Sequence, residues 1–236
     1  MSGAWKGNEM ALPNLAQVAS LIGDESRAAM LLQLLGGKSL PATELARVAR
    51  VTPQTASAHL AKLEAGGLVV HVSYGRHRYY RLTNADVGLA LESLNAVASP
   101  KPIRSLRESD QSKALQFART CYDHLAGKVG VALTERLLEW NLIEEGGRDF
   151  VIPTDGISWF QEFGLDLDAL RSGRRHFARQ CLDWSERRHH IGGALGAAIA
   201  NRLVELHWVE RMPAGRAVAV TKQGKTGLAE KLNLTF

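Results

Sequence analysis

Two seven-residue segments, sixty positions apart, share five residues: Phe117-Ala-Arg-Thr-Cys-Tyr-Asp123 and Phe177-Ala-Arg-Gln-Cys-Leu-Asp183. After an insertion of six residues the similarity continues, because His124-Leu-Ala-Gly127 aligns with His190-Ile-Gly-Gly193. Self-similarity of this density indicates a duplication. We therefore expect residues 111–170 and 171–236 to be two copies of one structural unit.

Each copy continues with leucines at helical spacing, a β-branched run, a Gly turn, a second run that ends in Thr, and a closing helix. The same plan occurs earlier, around residues 60–94. Such a pattern predicts a two-stranded wing packed on a helix. The predicted fold is mainly α with small β-wings (α+β): an N-terminal winged helix-turn-helix over residues 1–98, a linker over 99–110 that contains Pro100 and Pro102, and two degenerate winged-helix-like repeats.

Composition narrows the class of protein. With 236 residues, 45% hydrophobic and 22% charged, the chain has the balance of a globular protein. A net charge of +5 and a pI near 9.4 favour an anionic partner, with nucleic acid first. The longest nearly uncharged stretch, residues 191–200, is too short to span a bilayer. Because the first residues lack an apolar signal-peptide core and the chain has two cysteines, we expect a reduced, cytoplasmic protein without membrane contact.

The stretch from Thr52 to Leu63 has the pattern of a DNA-reading helix. Thr52 is a good N-cap, and Pro53 occupies the first helical position, where proline is tolerated. Ala56, Leu60 and Leu63 form the stripe that would be buried. The opposite face is small and polar, so that it can enter a major groove: Gln54, Thr55, Ser57, Ala58 and Lys62.

Residues 12–97 resemble the ArsR-type winged-helix regulators, the bacterial arsenic-repressor-like family. The matching motifs are Thr43-Glu-Leu-Ala46, Thr52-Pro-Gln-Thr-Ala-Ser-Ala-His-Leu60, Leu63-Glu-Ala-Gly-Gly-Leu-Val69 and the wing Gly75-Arg-His-Arg-Tyr-Tyr-Arg-Leu82. The resemblance implies a homodimeric repressor on a palindromic operator, with residues 53–62 as recognition helix and the wing tip near phosphates. The expected DNA-contacting residues are Thr52, Gln54, Thr55, Ser57, Ala58, His59, Lys62, Arg76, His77 and Arg78.

The chain departs from this family at the usual metal sites. Many members carry a Cys-x-Cys pair on the helix before the recognition helix, where this sequence has Leu40-Pro-Ala-Thr-Glu-Leu-Ala46. Others have Asp and His ligands on the last helix, where this sequence has Asp86 and Glu92 but no His. Two carboxylates alone make a poor transition-metal site. We therefore expect no metal at these positions and no resident cofactor, and place effector sensing in the C-terminal half.

The duplicated cysteines are the first sensor candidates. If the two copies pack about a pseudo-dyad, the thiols of Cys121 and Cys181 could face each other and bind a soft metal or metalloid, react with an oxidant or electrophile, or form a disulfide. Flanking Arg119 and Arg179 could lower the thiol pKa values. Equally, Ala114, Ala118, Cys121 and Leu125 fit one helical stripe, which indicates a merely buried cysteine. The candidate effector residues are Cys121, Cys181, Asp123, His124, Asp183, Trp184 and His190.

A second sensing mode needs no thiol. Four tryptophans lie in the C-terminal half, and Trp184 stands in the cationic insertion together with Arg187 and Arg188. Aromatic walls with arginines could bind an aromatic or acidic small molecule between the copies. The alternative is that these tryptophans are ordinary core residues.

These features predict a sequence-specific, DNA-binding transcriptional regulator, a homodimeric repressor released from its operator by a small effector. An enzyme is disfavoured, because the sequence has no Gly-rich phosphate loop, His-Glu-x-x-His motif, nucleophile elbow or dense carboxylate cluster. The other alternative is a scaffold whose wings contact proteins only.

Overall fold

A computed structural model describes residues 13–75, 77–173, 175–213 and 215–236. Its N-terminal part consists of five helices and a three-stranded antiparallel sheet in the order β1-β3-β2. The elements are α1 (Leu15–Ile22), α2 (Glu25–Leu34), β1 (Leu40–Pro41), α3 (Ala42–Ala49), α4 (Pro53–Ala65), β2 (Val69–Tyr74), β3 (His77–Leu82) and α5 (Ala85–Val97). This is the predicted winged helix-turn-helix, with α3 and α4 as the two helices of the motif.

Local chemistry sets the ends of these helices. The carboxylate of Asp24 accepts a hydrogen bond from the backbone N–H of Arg27 at 2.9 Å and begins α2. The hydroxyl of Thr52 accepts from the N–H of Thr55 at 3.2 Å, and Pro53 follows at the first helical position. Arg50 ends α3 in the left-handed region, with φ of 55°. The predicted N-cap at Thr52 is thus confirmed, and only three residues separate α3 from α4.

The C-terminal part contains small two-stranded sheets joined by helices. The elements are α6 (Leu106–Phe117), β4 (Arg119–Cys121), β5 (His124–Ala126), α7 (Gly127–Glu139), β6 (Glu144–Gly146), β7 (Asp149–Val151), α8 (Thr154–Glu162), α9 (Leu167–Arg171), β8 (Gln180–Leu182), β9 (His189–Ile191), α10 (Gly193–Glu205), β10 (Val209–Arg211), β11 (Val218–Val220) and α11 (Lys222–Leu232). The order hairpin, helix, hairpin, helix therefore occurs twice, starting at β4 and at β8. Each hairpin is antiparallel.

The run of elements that starts at β4 and the run that starts at β8, which we call the first and the second series, pack crosswise around one core. Strand β5 of the first contacts α10 of the second, and β9 of the second contacts α7 of the first. The shared core includes Leu137, Phe160, Leu195, Leu203 and Leu228, which are nearly or fully buried. Because each hairpin rests on the helix of the other series, the ends of β4 and β8 are brought close together. In the described part of the chain, no helix is long and apolar enough to cross a membrane.

Helix α6 begins at Leu106, inside the stretch 99–110 that we predict as a linker. The Ser105 hydroxyl caps this helix by accepting from the N–H of Glu108, and the Glu108 carboxylate accepts from the N–H of Arg104, the residue before the cap. One sequence expectation differs from the structure. The helical stripe proposed for Cys121 is wrong, because α6 ends at Phe117 and Cys121 lies in β4. A positive φ of 59° at Tyr122 turns the chain into the hairpin instead.

Gly227 in α11 supports a prediction about core packing. A Cβ at this position would lie 2.1 Å from Cε2 of the Trp208 indole, which is mostly buried. We expect Gly227→Ala to lower the free energy of unfolding by about 1–3 kcal/mol, because helix and indole must separate. Lys225→Ala, at an exposed position of the same helix, is the control and should be nearly neutral. Equal denaturation midpoints for the two variants would contradict the packing argument.

Candidate functional site

Helix α4 presents a polar surface opposite its buried stripe. Ala56, Leu60 and Leu63 are fully buried in the N-terminal core, as predicted. The residues on the other side are exposed: Gln54, Thr55, Ser57, Ala58, Ala61 and Lys62. This outer side of α4 carries a long amide, a long cation and otherwise small side chains. It therefore has the dimensions and the chemistry to enter a DNA groove.

Some hydroxyls of this surface already have backbone partners. Thr52 caps the helix, and its Oγ lies 2.9 Å from that of Thr55. Ser57 donates to the carbonyl oxygen of Pro53 at 2.9 Å, which leaves its lone pairs as acceptors. Gln54 and Lys62 are accordingly the strongest candidates for contacts to base edges and phosphate, respectively.

His59 does not lie on the outer side of α4. Its side chain is 17% exposed, with Nδ1 at 3.4 Å from a guanidinium nitrogen of Arg27 and 3.7 Å from Oδ1 of Asp24. Position 59 stands at the edge of the buried stripe, three residues after Ala56, so the ring points toward α2. His59 therefore lies between α4 and α2, and its contact with DNA stays a prediction.

The wing is formed by β2 and β3, paired from Val69 with Leu82 to Tyr74 with His77. His77 and Arg78 are exposed near its tip. Arg76, the third predicted wing contact, lies outside the described residues. The wing base is held in the core by Tyr80, which is 5% exposed and packs against His71.

A second site lies where the two C-terminal hairpins meet. Cys121 pairs with His124 across β4 and β5, and Cys181 pairs with His190 across β8 and β9. The two Sγ atoms are 3.8 Å apart and the two imidazole rings 5.1 Å between centroids. One ligand atom from each of these four residues lies within 4.8 Å of every other. We call this group the Cys2His2 cluster; all four side chains are buried.

A carboxylate lies next to the Nδ1 atom of each imidazole. Oδ1 of Asp123 lies 3.4 Å from Nδ1 of His124, and Oδ2 of Asp183 lies 3.4 Å from Nδ1 of His190. Among the described residues, the Nε2 atoms of both rings have no hydrogen-bond partner, and neither has Nδ1 of His190. Buried imidazoles that lie beside a carboxylate and keep a nitrogen without a partner are typical of metal-binding histidines.

Asp183 also forms a buried ion pair and several hydrogen bonds. It forms an ion pair with Arg119 at 2.9 Å, in which both side chains are fully buried. Its oxygens also accept from the N–H of Gly127 at 2.6 Å and from the hydroxyl of Ser185 at 2.7 Å. Burial works to raise the pKa of Asp183, but hydrogen bonding to His190 and the charge of Arg119 outweigh it and hold that pKa well below its usual value.

The surroundings of Cys121 disfavour its thiolate form. The hydrogen bond to Cys181, followed by burial, raises the pKa of Cys121 above its ordinary value. The expected lowering by arginine is therefore wrong for Cys121, because Arg119 is engaged with Asp183. Both cysteines are free rather than joined in a disulfide.

The predicted aromatic site is not formed by the residues proposed for it. Trp184 lies under the guanidinium of Arg119, 4.4 Å from ring centroid to Cζ, outside the Cys2His2 cluster. Arg188 pairs with Glu135 at 2.6 Å, and Arg187 donates to the carbonyl oxygen of Ala96. The remaining aromatic residues are distributed elsewhere: Trp159 stacks on Phe163, which contacts Trp208 in the core, and Trp140 lies near Arg136 at the surface.

A cavity of about 440 Å³ opens beside the Cys2His2 cluster. It is lined by both cysteines, by Leu89 of α5 and by charged side chains, among them Asp86, Arg175 and Arg179. The cavity thus gives a small ion or molecule a path from the surface toward the thiols. Sequence reasoning singled out all the members of the cluster but did not predict that they meet in one group of four ligands.

The winged helix-turn-helix with an exposed polar helix defines a DNA-binding protein, and comparison with known proteins agrees. Residues 22–72 match the family described as a helix-turn-helix domain. The HTH-type transcriptional regulator YdfF of Bacillus subtilis (strain 168) is 45% identical over 222 residues, which cover 94% of this chain and 98% of YdfF. The chain therefore belongs to the helix-turn-helix transcriptional regulators.

Solved structures that are similar to part of this chain include HlyU from Vibrio cholerae, which is 26% identical in sequence. The match covers 34% of this chain and 86% of HlyU, with a TM-score of 0.32. The Mb0332 DNA-binding domain from Mycobacterium bovis has 29% identity, coverage of 35% and 76%, and a TM-score of 0.33. The cadmium sensor CMTR from Mycobacterium tuberculosis has 31% identity, coverage of 39% and 100%, and a TM-score of 0.31.

Proposed function

We propose that the protein is a homodimeric repressor that binds operator DNA through the outer side of α4 and the wing, and leaves it when the C-terminal half binds an effector. The observation that carries the proposal is the sharp division of α4 into a fully buried stripe and an exposed polar face. A dimer places two such helices about 34 Å apart, one helical turn of DNA.

Exposed apolar side chains support the dimer. Leu94 and Val97 of α5 are 47% and 80% exposed, and Leu15 of α1 is 77% exposed. Large apolar side chains that remain in water on two helices of one small domain favour association with a second copy. The net charge of +5 favours approach of this dimer to DNA.

The C-terminal half is proposed as the sensor, with 99–110 as connection and 111–170 and 171–236 as two copies of one winged-helix-like unit. The recurring order of hairpins and helices and the duplicated sequence support this division. The C-terminal half contacts α2, on which α4 packs, and α5. The N–H of Tyr122 donates to the carbonyl oxygen of Leu35 at 2.7 Å, directly after α2, and the Tyr122 ring packs on Gly88 of α5.

Two charged contacts complete this connection. Arg216 pairs with Glu92, which is buried in α5, and Arg211 donates to the carbonyl oxygen of Gly36 at 3.0 Å. A change in the C-terminal half therefore acts on both α2 and α5. An effector shifts the equilibrium between two dimer geometries only if it binds one of them more tightly.

Substitutions on α4 and the wing test the DNA-binding surface. We expect Lys62→Ala and Arg78→Ala to weaken binding to every duplex alike, and Gln54→Ala to reduce discrimination between a selected operator and random DNA by about 1–3 kcal/mol. Affinity should fall roughly tenfold or more for a fourfold rise in salt.

The measurement is fluorescence anisotropy with a duplex that the protein itself selects from a random-sequence pool. Lys225→Ala, on α11, is the control and should bind like the wild type. Wild-type affinity and discrimination in all three variants would contradict the assignment of the surface.

A further inference from the structure

We propose that four buried side chains form a tetrahedral binding site for a zinc-like divalent ion, and that its occupancy controls DNA binding: Cys121, His124, Cys181 and His190. The site itself stands on the geometry of the Cys2His2 cluster. Its regulatory role rests on the function proposed above and deepens it by naming the class of effector.

The spacing of the sulfur atoms fits this ion. Two thiolates bound tetrahedrally at about 2.3 Å from zinc are roughly 3.8 Å apart. The Sγ atoms of Cys121 and Cys181 are 3.8 Å apart. The imidazole nitrogens already lie within 4.8 Å of the sulfurs and of each other. Small side-chain movements therefore suffice to complete the tetrahedron.

The donor set decides the class of ion. Two sulfurs and two imidazoles suit zinc, cobalt or cadmium, whereas magnesium and calcium require oxygen ligands. When a divalent ion binds, each thiol releases its proton to solvent, so that two thiolates balance the two positive charges. A buried site of this composition carries no net charge, which avoids the large cost of an unpaired charge in the interior.

The two imidazoles give an independent argument. Their buried Nε2 atoms lack hydrogen-bond partners among the described residues, and such atoms are rare in proteins unless they have a ligand. Asp123 lies 3.4 Å from Nδ1 of His124 and Asp183 lies 3.4 Å from Nδ1 of His190, and a carboxylate beside the imidazole is the usual support of a metal-binding histidine. Each sequence copy thus supplies one thiol, one imidazole and one carboxylate, and the ion joins the two copies.

The cluster lies under the helix that links it to the DNA-binding part. Leu89 of α5 packs against Cys121 and Cys181, and Tyr122, between Cys121 and His124 in sequence, holds the end of α2. Contraction of the ligands around an ion pulls on both contacts. Metal binding therefore changes the positions of α5 and of α2, and α4 packs on α2.

The site is tested with the full-length, reduced protein after removal of metal with a chelator. Titration with Co²⁺ should produce the visible bands of tetrahedral cobalt and a thiolate-to-cobalt charge-transfer band, saturate at one ion per chain, and be reversed by Zn²⁺. Cys181→Ser and His190→Ala should weaken binding at least roughly tenfold, whereas His189→Ala, at the exposed neighbouring position, should not.

No cobalt spectrum in the reduced protein, or unchanged binding by the double variant Cys121→Ser/Cys181→Ser, would overturn the site. Circular dichroism of each metal-free variant shows whether it folds. If a cysteine variant does not fold, His190→Ala still tests the site. A disulfide that forms spontaneously in air and persists in mild reductant would likewise contradict a metal site.

The regulatory role is tested with the selected duplex. We expect Zn²⁺ to change DNA affinity of the wild type by about tenfold, and to leave the affinity of Cys121→Ser/Cys181→Ser unchanged. A cobalt spectrum with equal DNA affinity in both states would refute regulation by metal but not the site. A cobalt spectrum without binding to any duplex would instead refute the proposed operator binding.

Discussion

Asp183→Asn is expected to lower the free energy of unfolding by about 3–5 kcal/mol, because it leaves the Arg119 guanidinium buried without a counter-charge. Both side chains of this pair are fully buried. Asp183 also accepts the N–H of Gly127, where β5 passes into α7, so its loss affects the contact between the segment around β8 and the start of α7. Urea denaturation of the metal-free protein measures the effect.

The matched control is Asp123→Asn, at the equivalent position of the first copy. Asp123 pairs with Arg175 at 2.6 Å, but the Arg175 side chain is 42% exposed, so water can solvate it when the partner is lost. We expect a loss of about 1 kcal/mol or less. Equal losses for the two variants would show that the buried pair has no special structural role.

Arg216→Ala is the second substitution with a large expected effect. It leaves the Glu92 carboxylate, 2% exposed in α5, without its cation. We expect a loss of about 3–5 kcal/mol in stability. If metal controls DNA binding through α5, the change in DNA affinity produced by Zn²⁺ should shrink as well.

Arg211→Ala and a double variant are the controls. Arg211 donates to a neutral carbonyl oxygen, that of Gly36, so its removal should cost about 1 kcal/mol. The double variant Glu92→Met/Arg216→Leu removes both charges and should recover most of the stability lost by Arg216→Ala. If the double variant is no more stable than the single one, the burial of Glu92 does not explain the effect.

Local sequence patterns were sufficient to predict the helices and the buried stripe of the N-terminal part. The cap at Thr52 and the stripe of Ala56, Leu60 and Leu63 depend on contacts within a few residues, and both were predicted correctly. The direction of the His59 ring was not predictable, since a residue at the edge of the stripe can point toward either side. Only the packing of α4 on α2 turns the ring toward Asp24 and Arg27.

The C-terminal half shows where such patterns fail. Cys121 fits a helical stripe with Ala114 and Ala118, but the chain forms a hairpin there, held by the bond from Tyr122 to Leu35. Long-range contacts of this kind leave no signal at the positions themselves. The tryptophans were likewise ambiguous, because bulk and hydrophobicity suit a core and a ligand site equally well.

The amino-acid sequence by itself determined the winged helix-turn-helix, the exposed polar face of α4 and the presence of two similar segments that each carry Cys, Asp and His, because these follow from periodicity, capping and internal similarity. Only the tertiary structure decided that the two sets meet, with Cys121 and Cys181 at 3.8 Å. The physical reason is the crosswise packing of β5 on α10 and of β9 on α7, which brings side chains sixty or more positions apart into one buried group.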